Sequence, residues 1–454
     1  MRNFLIAIAR CGVVLTVLYG SNVSASVCRV TTAGLPANNG STWSVPMDLQ
    51  TALGTLTCTE IWVAAGTYLP TTPGGSASTS FVIAPGSAVY GGFAGSETDR
   101  TQRNLNSNVS TLSGDVGTVG VATDNSHLIV KMTGAVGNTI TASTVLDGFT
   151  ISGAYQGGNG GALYCNGSGA GNECSPTLAN LQFINNYAVY GGGLYNDGHN
   201  SGKSSPHLTN VTFKNNLVVN EGGAMYNDGS GGSSGGGESS PVLNGVTFSG
   251  NTTDNDIGGA MEDLGNSNPV LTNVTFSGNG SNLAPNGVQT WNTQTGGAIA
   301  IRGGGSLVLN NVTFNGNSAN YGGAIDNSGG AVQASNTIFW GDAAVVMGPE
   351  IYQASGTITI SSSVIQGGCP SGITCLGVIT TDPMLSPLQD NGGPTPTMML
   401  MTGSSAIDGG YNPTCAPQDQ RGVPRPQGPN CDVGALEVVF QRIFADNFDG
   451  RPTP

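Results

Sequence analysis

The stretch PHLTNVTFKNN at residues 206–216 is one copy of a unit that recurs along much of the chain. Other copies are PTLANLQFINN (176–186), PVLNGVTFSGN (241–251), PVLTNVTFSGN (269–279) and LVLNNVTFNGN (307–317). A glycine pair follows each copy, as in GGGLYND (191–197), GGAMYND (222–228), GGAMEDL (258–264), GGAIAIR (296–302) and GGAIDNS (322–328). Serial units of this kind are typical of solenoids, in which each repeat packs only on its neighbours.

The apolar spacing inside the unit predicts one coil of a parallel β-helix. Val211 and Phe213 are two residues apart and therefore share one face of a strand. Leu208 precedes Val211 by three residues, so a sharp corner at Asn210 is needed to turn all three side chains inward. Gly and Asn best tolerate the left-handed backbone of such a corner. The same position in seven coils is held by Gly148, Asn180, Asn210, Gly245, Asn273, Asn311 and Asn336.

These corners are separated by unequal stretches of chain, which predicts loops of different length around a constant core. The last Asn of each unit should form a further stack, because amides can hydrogen-bond along the axis of stacked strands. That row is Asn186, Asn216, Asn251, Asn279 and Asn317, and we interpret it as structural. The predicted fold is all-β: a right-handed, single-stranded parallel β-helix with a short N-terminal capping helix and an irregular, disulfide-bearing C-terminal cap.

The chain divides into four segments. Residues 1–25 read as a signal peptide, with Arg2 and Arg10 ahead of a short apolar run and a small-residue cleavage site. Residues 26–381 form the predicted β-helix, with a cap over about 26–60 that includes a helix in 47–56 (apolar positions Met47, Leu49, Leu53 and Leu56). Residues 382–437 lose the repeat and become rich in Pro and Asp, and 438–454 is a tail.

Composition excludes some functions and indicates export. A net charge of −14 with only 13 Lys plus Arg excludes nucleic-acid binding and disfavours a strongly anionic glycan. No segment is long and apolar enough to predict a transmembrane span. Eight cysteines outside the signal segment favour disulfides in an oxidising compartment, and proximity suggests pairing of neighbours, although the connectivity is open. The neighbours are Cys28 and Cys58, Cys165 and Cys174, Cys369 and Cys375, and Cys415 and Cys431.

Three stretches resemble known families. The FxxN and glycine-pair units resemble the repeats of polymorphic outer-membrane proteins. DLQTAL…EIWVAAGTY…YGGFAGSE (48–97) looks like the N-terminal part of pectate-lyase-like β-helix proteins, and 382–437 (DPMLSPLQDNGGPTPTMML…CDVGALE) is similar to the choice-of-anchor Q domain. The resemblance implies a bacterial right-handed β-helix exported to the cell surface or medium.

Candidate functional residues are few. Asp197, Asp228 and Asp263 follow the glycine pair at similar offsets and Asp326 lies close by, so they could line one edge of the solenoid. Such a row could bind calcium or sugar, or provide acid/base catalysis, although Asn-Asp can also simply make a turn, which is the interpretation we favour. Tyr195, Tyr226 and Trp291 are candidates for stacking on sugar rings, and for the two tyrosines burial is the alternative we favour.

The sequence carries no set of motifs typical of polysaccharide hydrolases, and its scattered cations (Lys131, Lys203, Lys214 and Arg302) are expected to be solvated surface charges. We therefore predict a secreted or cell-surface, non-catalytic protein for adhesion or glycan binding, acting as a monomer. The alternatives are a secreted polysaccharide lyase or glycoside hydrolase, and a structural surface spacer. No cofactor is predicted apart from calcium, and the partner would be a polysaccharide or a cell-surface glycan.

Overall fold

The computed structural model describes residues 26–231, 236–254, 256–280, 282–283, 289–290 and 294–439. The predicted signal peptide, Trp291 and most of the tail therefore lie outside the described residues. The N-terminal strands are β1 (Ser26–Val30), β2 (Cys58–Ala64), β3 (Gly66–Tyr68), β4 (Phe81–Ile83), β5 (Ala88–Phe93), β6 (Ser110–Ser113), β7 (Val130–Thr133), β8 (Val145–Asp147), β9 (Phe149–Ser152), β10 (Gly157–Asn159) and β11 (Leu163–Asn166).

The remaining strands follow in chain order. The central ones are β12 (Thr177–Ala179), β13 (Gln182–Ile184), β14 (Tyr187–Tyr190), β15 (Leu194–Asp197), β16 (His207–Thr209), β17 (Thr212–Lys214), β18 (Leu217–Glu221), β19 (Met225–Gly229), β20 (Val242–Ser249), β21 (Thr252–Thr253), β22 (Met261–Gly265) and β23 (Val270–Ser277). The last are β24 (Asn282–Leu283), β25 (Gln289–Thr290), β26 (Ile299–Arg302), β27 (Ser306–Asn315), β28 (Ser318–Tyr321), β29 (Ile325–Ser335), β30 (Ile338–Trp340), β31 (Ala343–Met347), β32 (Ile351–Ser361), β33 (Val364–Ile365) and β34 (Thr374–Leu376).

Parallel pairing between successive coils builds three faces around a tube, which confirms the predicted right-handed parallel β-helix. The first face runs from β1 and β2 through β5, β8, β12 and β16 to the starts of β20, β23 and β27. The second face runs through β3, β6, β9, β13 and β17 to the ends of the same long strands and to β30. The third face contains β4, β7, β11, β15, β19, β22, β26 and the start of β29.

The corner between the first and second faces is where the sequence places Gly or Asn. All seven predicted corner residues have positive φ, from 49° at Asn336 to 85° at Gly148. In β20, β23 and β27 this residue lies within one continuous strand that bends around the corner. The left-handed residue therefore lets Leu, Val and Phe of one unit all point into the tube, as the spacing predicted.

Identical side chains stack along the interior. Phe183, Phe213, Phe248, Phe276, Phe314 and Phe339 form a continuous ladder with ring centroids 4.7–5.0 Å apart and nearly parallel planes. Each of these rings is fully buried. Since a buried Phe contributes roughly 1.5–3 kcal/mol through removal from water, the ladder is a major source of stability.

The predicted Asn stack is also confirmed. Asn186, Asn216, Asn251, Asn279 and Asn317 are buried, and each Nδ2 donates to the Oδ1 of the next residue at 2.8–3.0 Å. The last amide, that of Asn317, donates to Asp342 Oδ1 at 2.8 Å. The stack therefore continues for six coils and closes on a carboxylate.

A short helix covers the N-terminal end of the tube. The N-terminal helix α1 spans Leu49–Gly54 and begins at Asp48, whose carboxylate accepts a hydrogen bond from Thr51 N. Leu49 and Leu53 bury as predicted, whereas Leu56 follows the helix and is 94% exposed, so its assignment to the apolar face was wrong. The helix is only six residues long, too short to carry a fourth apolar position.

Residues 382–437 fold back along the outside of the second face. Gln420 and Thr275 share a hydrogen bond of 2.7 Å, and Ala435 N donates to Thr313 Oγ1 at 3.0 Å. Arg421 pairs with Asp419 at 2.8 Å. Arg425 pairs with the buried Glu437 at 3.0 Å and also donates to the Asp432 carbonyl at 2.9 Å.

The four neighbouring cysteine pairs are disulfides, as proximity suggested: Cys28–Cys58, Cys165–Cys174, Cys369–Cys375 and Cys415–Cys431. Four disulfides fit an extracellular protein. No helix within the described part of the chain combines the length and the apolar character that membrane crossing requires.

Candidate functional site

The predicted acidic row belongs to the outer side of the third face. In β15, Leu194 and Asn196 point into the tube, and alternation turns Tyr195 and Asp197 outward. Gly191 makes the turn before the strand with φ of 56°, and a Cβ there would lie 2.5 Å from the carbonyl of Leu194. The glycine pair thus determines which residues of the following strand point outward.

Asp197 and Asp228 do come together, because they are direct partners in the β15–β19 pairing. Each accepts a hydrogen bond from the tyrosine one coil earlier: Tyr164 donates to Asp197 Oδ2 at 2.5 Å, and Tyr195 to Asp228 Oδ2 at 3.1 Å. Asp197 and Asp228 are 6% and 8% exposed. Burial raises the pKa of Asp197 above its ordinary value.

Asp263 and Asp326 do not join this pair, so the expected single acidic row is wrong. Asp263 pairs with Asn227 rather than Asp228 and points into the tube, where burial raises its pKa to about 7. Asp326 stands in register with Ala300, in the row of the tyrosines, and burial raises its pKa to about 6. Asp263 lies one position closer to the glycine pair than Asp197 and Asp228, and a shift of one residue reverses the direction of a side chain on a strand. Asp326 lies two positions closer and therefore still points outward.

Arg302 is the charge at the centre of this surface, which corrects its assignment as a solvated cation. Its guanidinium lies 2.5 Å from Glu221 and 2.5 Å from Glu262, whose side chain is fully buried. Burial raises the pKa of Glu262 well above its ordinary value, and the neighbouring Arg302 opposes that shift. By contrast, Lys131 and Lys214 are exposed, as expected.

Tyr195 and Tyr226 are 6% and 4% exposed, which confirms burial over exposed stacking. They nevertheless lie outside the tube, where they pack edge to face with centroids 4.9 Å apart, and Tyr190 covers both. Trp291 cannot be placed, since it lies outside the described residues. The third face thus carries a closed network of tyrosines and ion pairs, and the surface it offers to a ligand is small.

No cluster of three or more His, Cys, Asp or Glu side chains suited to a metal ion occurs in the described ranges. The acidic residues of the third face are instead engaged by hydroxyls, amides and Arg302. Their arrangement suits a stabilising network more than a catalytic centre, which requires carboxylates that substrate can reach.

An open site lies on the second face. A cleft of about 470 Å³ sits between the loop at Arg103–Val109 and the turn at Gly393–Pro394 of the folded-back C-terminal segment. Its floor is formed by outward side chains of successive coils, Thr150, Gln182 and Thr212, which are in register. The volume is typical of small-molecule sites, roughly 300–1,000 Å³.

Those floor residues belong to a longer threonine row. Its members in register are Thr67, Thr111, Thr150, Gln182, Thr212, Thr247, Thr275 and Thr313. The C-terminal segment covers the later part, where Thr247 donates to the Pro396 carbonyl at 2.7 Å and Gln420 donates to Thr247 at 2.8 Å. The cleft lies over Thr150, Gln182 and Thr212, just before the part of the row that this segment covers.

A chain of hydrogen bonds organises one side of the cleft. Arg103 pairs with Asp147 at 2.6 Å, Asn180 donates to Asp147 at 2.8 Å, and Asn210 donates to Asn180 at 3.2 Å. The guanidinium is thus neutralised, and the amides are held in fixed orientations. Leu105 and Val109, in the same loop as Arg103, add apolar surface to this wall.

Sequence reasoning missed this cleft. The recurring Val-Thr-Phe of the repeat is a signal for outward threonines, since Thr lies between two inward residues. The walls, however, come from segments about 290 residues apart that carry no periodicity. Only the folded-back path of residues 391–396 brings them to opposite sides of the same three coils.

Comparisons with known proteins add little about activity. No protein-family model matches the chain, and no curated protein is similar enough to count as a match. Among solved structures, the crystal structure of the pectate lyase Pel9A is similar at 17% sequence identity and a TM-score of 0.47, over 90% of this chain and 96% of that one. A likeness of this degree carries no argument about what the chain does, and the β-helix rests on the strand pairing described above.

Proposed function

We propose that the protein is an extracellular, non-catalytic glycan-binding β-helix and that the second-face cleft is its binding site. The observation that carries the proposal is the open stretch of the threonine row, floored by Thr150, Gln182 and Thr212 between two walls. Hydroxyl and amide groups both donate and accept hydrogen bonds, as sugar hydroxyls do. Their register along the axis suits a chain-like ligand that lies across several coils.

The charge of the cleft favours a neutral glycan. Its cation, Arg103, is already paired with Asp147, and the lining residues include no Asp or Glu among those described. The net charge of −14 would also repel a polyanion. We therefore expect neutral polysaccharides to bind and strongly anionic ones to be rejected.

The same lining supports binding over cleavage. Glycoside hydrolysis commonly uses two carboxyl groups on either side of the scissile bond. In the described residues none lines the cleft, and the carboxylates of the third face are buried elsewhere. Glycan binding without turnover is accordingly the proposed role.

Replacing Gln182 tests the site directly. Gln182 is exposed on the cleft floor, so Gln182→Ala removes an amide without disturbing the core, and Gln182→Trp fills the cleft. For a neutral polysaccharide that binds the wild-type protein, we expect Gln182→Ala to weaken binding about tenfold, equivalent to about 1.4 kcal/mol, and Gln182→Trp to abolish it. Affinity electrophoresis over a panel of polysaccharides measures both.

The matched control is Gln333→Ala, which changes the same residue type at an exposed strand position on the first face. It should bind as the wild type does. Equal binding by all three variants would place the glycan elsewhere and reject the cleft. If the wild-type protein binds no glycan in the panel, the proposal loses its support and the structural-spacer alternative is favoured.

A further inference from the structure

A late coil of the tube departs from the preceding coils at two interior positions. The Asn stack reaches Asp342, whose Oδ1 accepts from the backbone amide and the side-chain amide of Asn317 at 2.7 and 2.8 Å. A row of buried alanines reaches Glu350, because the amide of the last alanine donates to the Glu350 carbonyl at 2.9 Å. The row is Ala224, Ala260, Ala298 and Ala324. Two neutral residues are thus replaced by two carboxylic acids in the same coil.

The two acids meet inside the protein. Asp342 is 6% exposed and Glu350 is 5% exposed, and their side chains are hydrogen-bonded to each other. An ionised carboxylate can only accept hydrogen bonds, so a bond between two carboxyl groups requires a proton on one of them. Asp342 Oδ2 and Glu350 Oε2 have no other donor among the described residues. One shared proton supplies the donor that the pair lacks.

The surroundings do not neutralise the pair. Neither carboxyl has an ion-pair partner among the described residues. Tyr321 of β28 packs on Tyr352 of β32 with centroids 5.2 Å apart, and Asp326 of β29, on the outer side, accepts from Ser328 Oγ at 2.8 Å. Neither β30 nor β31 contains a titratable residue. Burial raises the pKa of both carboxyls, and Asp342 raises the pKa of Glu350 further.

This coil is also held less firmly than the earlier ones. Within the described part of the chain, β31 pairs with β28 on one side only. The start of β32 pairs with β29, whereas β34 reaches β32 only at Thr359–Ser361. The backbone from Ala343 to Thr357 is therefore paired on one side, and such segments open at lower cost than strands paired on both sides.

We propose that Asp342 and Glu350 form a pH-sensitive latch, in which one shared proton holds the last coil closed and its release opens residues 341–357. The proton passes to water and leaves two like charges in contact in a buried site, which favours separation. Because burial raises the folded-state pKa above that of the open coil, the closed coil holds a proton that the open coil releases. Closure is consequently favoured at low pH and lost as pH rises.

Hydrogen–deuterium exchange of the purified protein at pH 6, 7 and 8, followed by mass spectrometry of peptides, tests the latch. Conversion of rates to protection factors removes the intrinsic pH dependence of amide exchange. We expect protection factors across residues 341–357 to fall by up to about tenfold per pH unit, which corresponds to one proton released on opening. Peptides from the coil at 206–216 should show no such fall.

Asp342→Asn is the decisive variant, because it extends the Asn stack by one member. The new amide keeps Oδ1 for Asn317 and offers a donor to Glu350, so the pair no longer needs a proton. Protection of residues 341–357 should then be independent of pH. Glu350→Gln supplies an amide from the other side and should have the same effect. The control Asp382→Asn removes an exposed carboxylate and should behave as the wild type does.

Three results would overturn the latch. The first is wild-type protection of residues 341–357 that stays constant from pH 6 to pH 8. The second is a fall as steep in Asp342→Asn and Glu350→Gln as in the wild type. The third is an equal fall at 206–216, which would mean that the whole tube responds to pH and that the last coil has no local switch.

Discussion

At the scale of single residues, the structure separates carboxylates that look equivalent in sequence. Asp263 lies inside the tube, in register with Asn227, and its Oδ1 accepts from Asn227 Nδ2 at 2.7 Å while Oδ2 has no partner among the described residues. The preceding coils carry amides at this position, Asn196 and Asn227, joined in the same way. Asp263 therefore places a carboxyl group in a row that the preceding coils fill with asparagine amides.

This placement predicts that Asp263→Asn stabilises the protein at neutral and alkaline pH. Burial raises the pKa of Asp263 from 3.8 to about 7, so the folded state holds a proton that the unfolded state releases. Stability is consequently lost as pH rises from about 4 to 7 and stays low above that, by an amount of order 4 kcal/mol. The asparagine variant should escape this loss.

Tm measured from pH 4 to pH 8 checks this prediction. Asp263→Asn should match the wild type near pH 4 and exceed it at pH 8, and the exposed Asp390→Asn should follow the wild type throughout. A variant less stable than the wild type at pH 8 would show that the carboxylate is stabilised in the folded state, against this account.

Single-residue direction was the weakest sequence prediction, for a physical reason. GGAMYND and GGAMEDL both contain an Asp near their ends, but the second segment places it one position earlier. Because strand side chains alternate, that single step moves Asp263 from the outer surface to the interior. The corner residues were predicted correctly because Gly or Asn stands at a fixed position between the Leu and the Val of each unit. A left-handed backbone at that residue is the conformation that turns Leu, Val and Phe all inward.

At the scale of structural elements, the Asn stack is a continuous row of side chains, and each side chain makes several hydrogen bonds. Asn251 accepts through Oδ1 from the amide and side chain of Asn216 and donates through Nδ2 to Asn279 and to the Phe213 carbonyl. All are buried. Removal of one member therefore leaves buried groups without partners on the two neighbouring coils.

Asn251→Ala should lower the free energy of unfolding by about 3 kcal/mol or more, because several buried donors and acceptors lose their partners. Chemical denaturation followed by circular dichroism measures the loss. Asn138→Ala, at an exposed turn residue, is the matched control and should change stability by less than about 0.5 kcal/mol. A loss below about 1 kcal/mol for Asn251→Ala would mean that the stack is not a stabilising element.

At the scale of the whole molecule, the folded-back C-terminal segment shapes the cleft. Gln420 is 3% exposed and joins the segment to the second face, since its side chain hydrogen-bonds to Thr247, Thr275 and Thr395.

Gln420→Ala should loosen the segment and the nearby wall at Gly393. Limited proteolysis should then cut within residues 391–420 faster than in the wild type. The control Gln427→Ala changes an exposed glutamine and should be cut at the wild-type rate. Equal cleavage rates for both variants would contradict the role given to Gln420.

The repeat made the tube predictable, but the cleft does not follow from it. Thr212 sits in the repeat, yet whether it is open or covered depends on where residues 391–437 fold back, which the periodicity does not encode.

Glycan binding without cleavage is best tested by incubation of the protein with a panel of neutral and anionic polysaccharides, with and without calcium, in which binding and new chain ends are followed together. We expect retention of a neutral polysaccharide by the wild-type protein and by Gln333→Ala, loss of retention with Gln182→Trp, and no new reducing or unsaturated ends. New ends that disappear in Asp197→Asn would contradict it and assign catalysis to the third face.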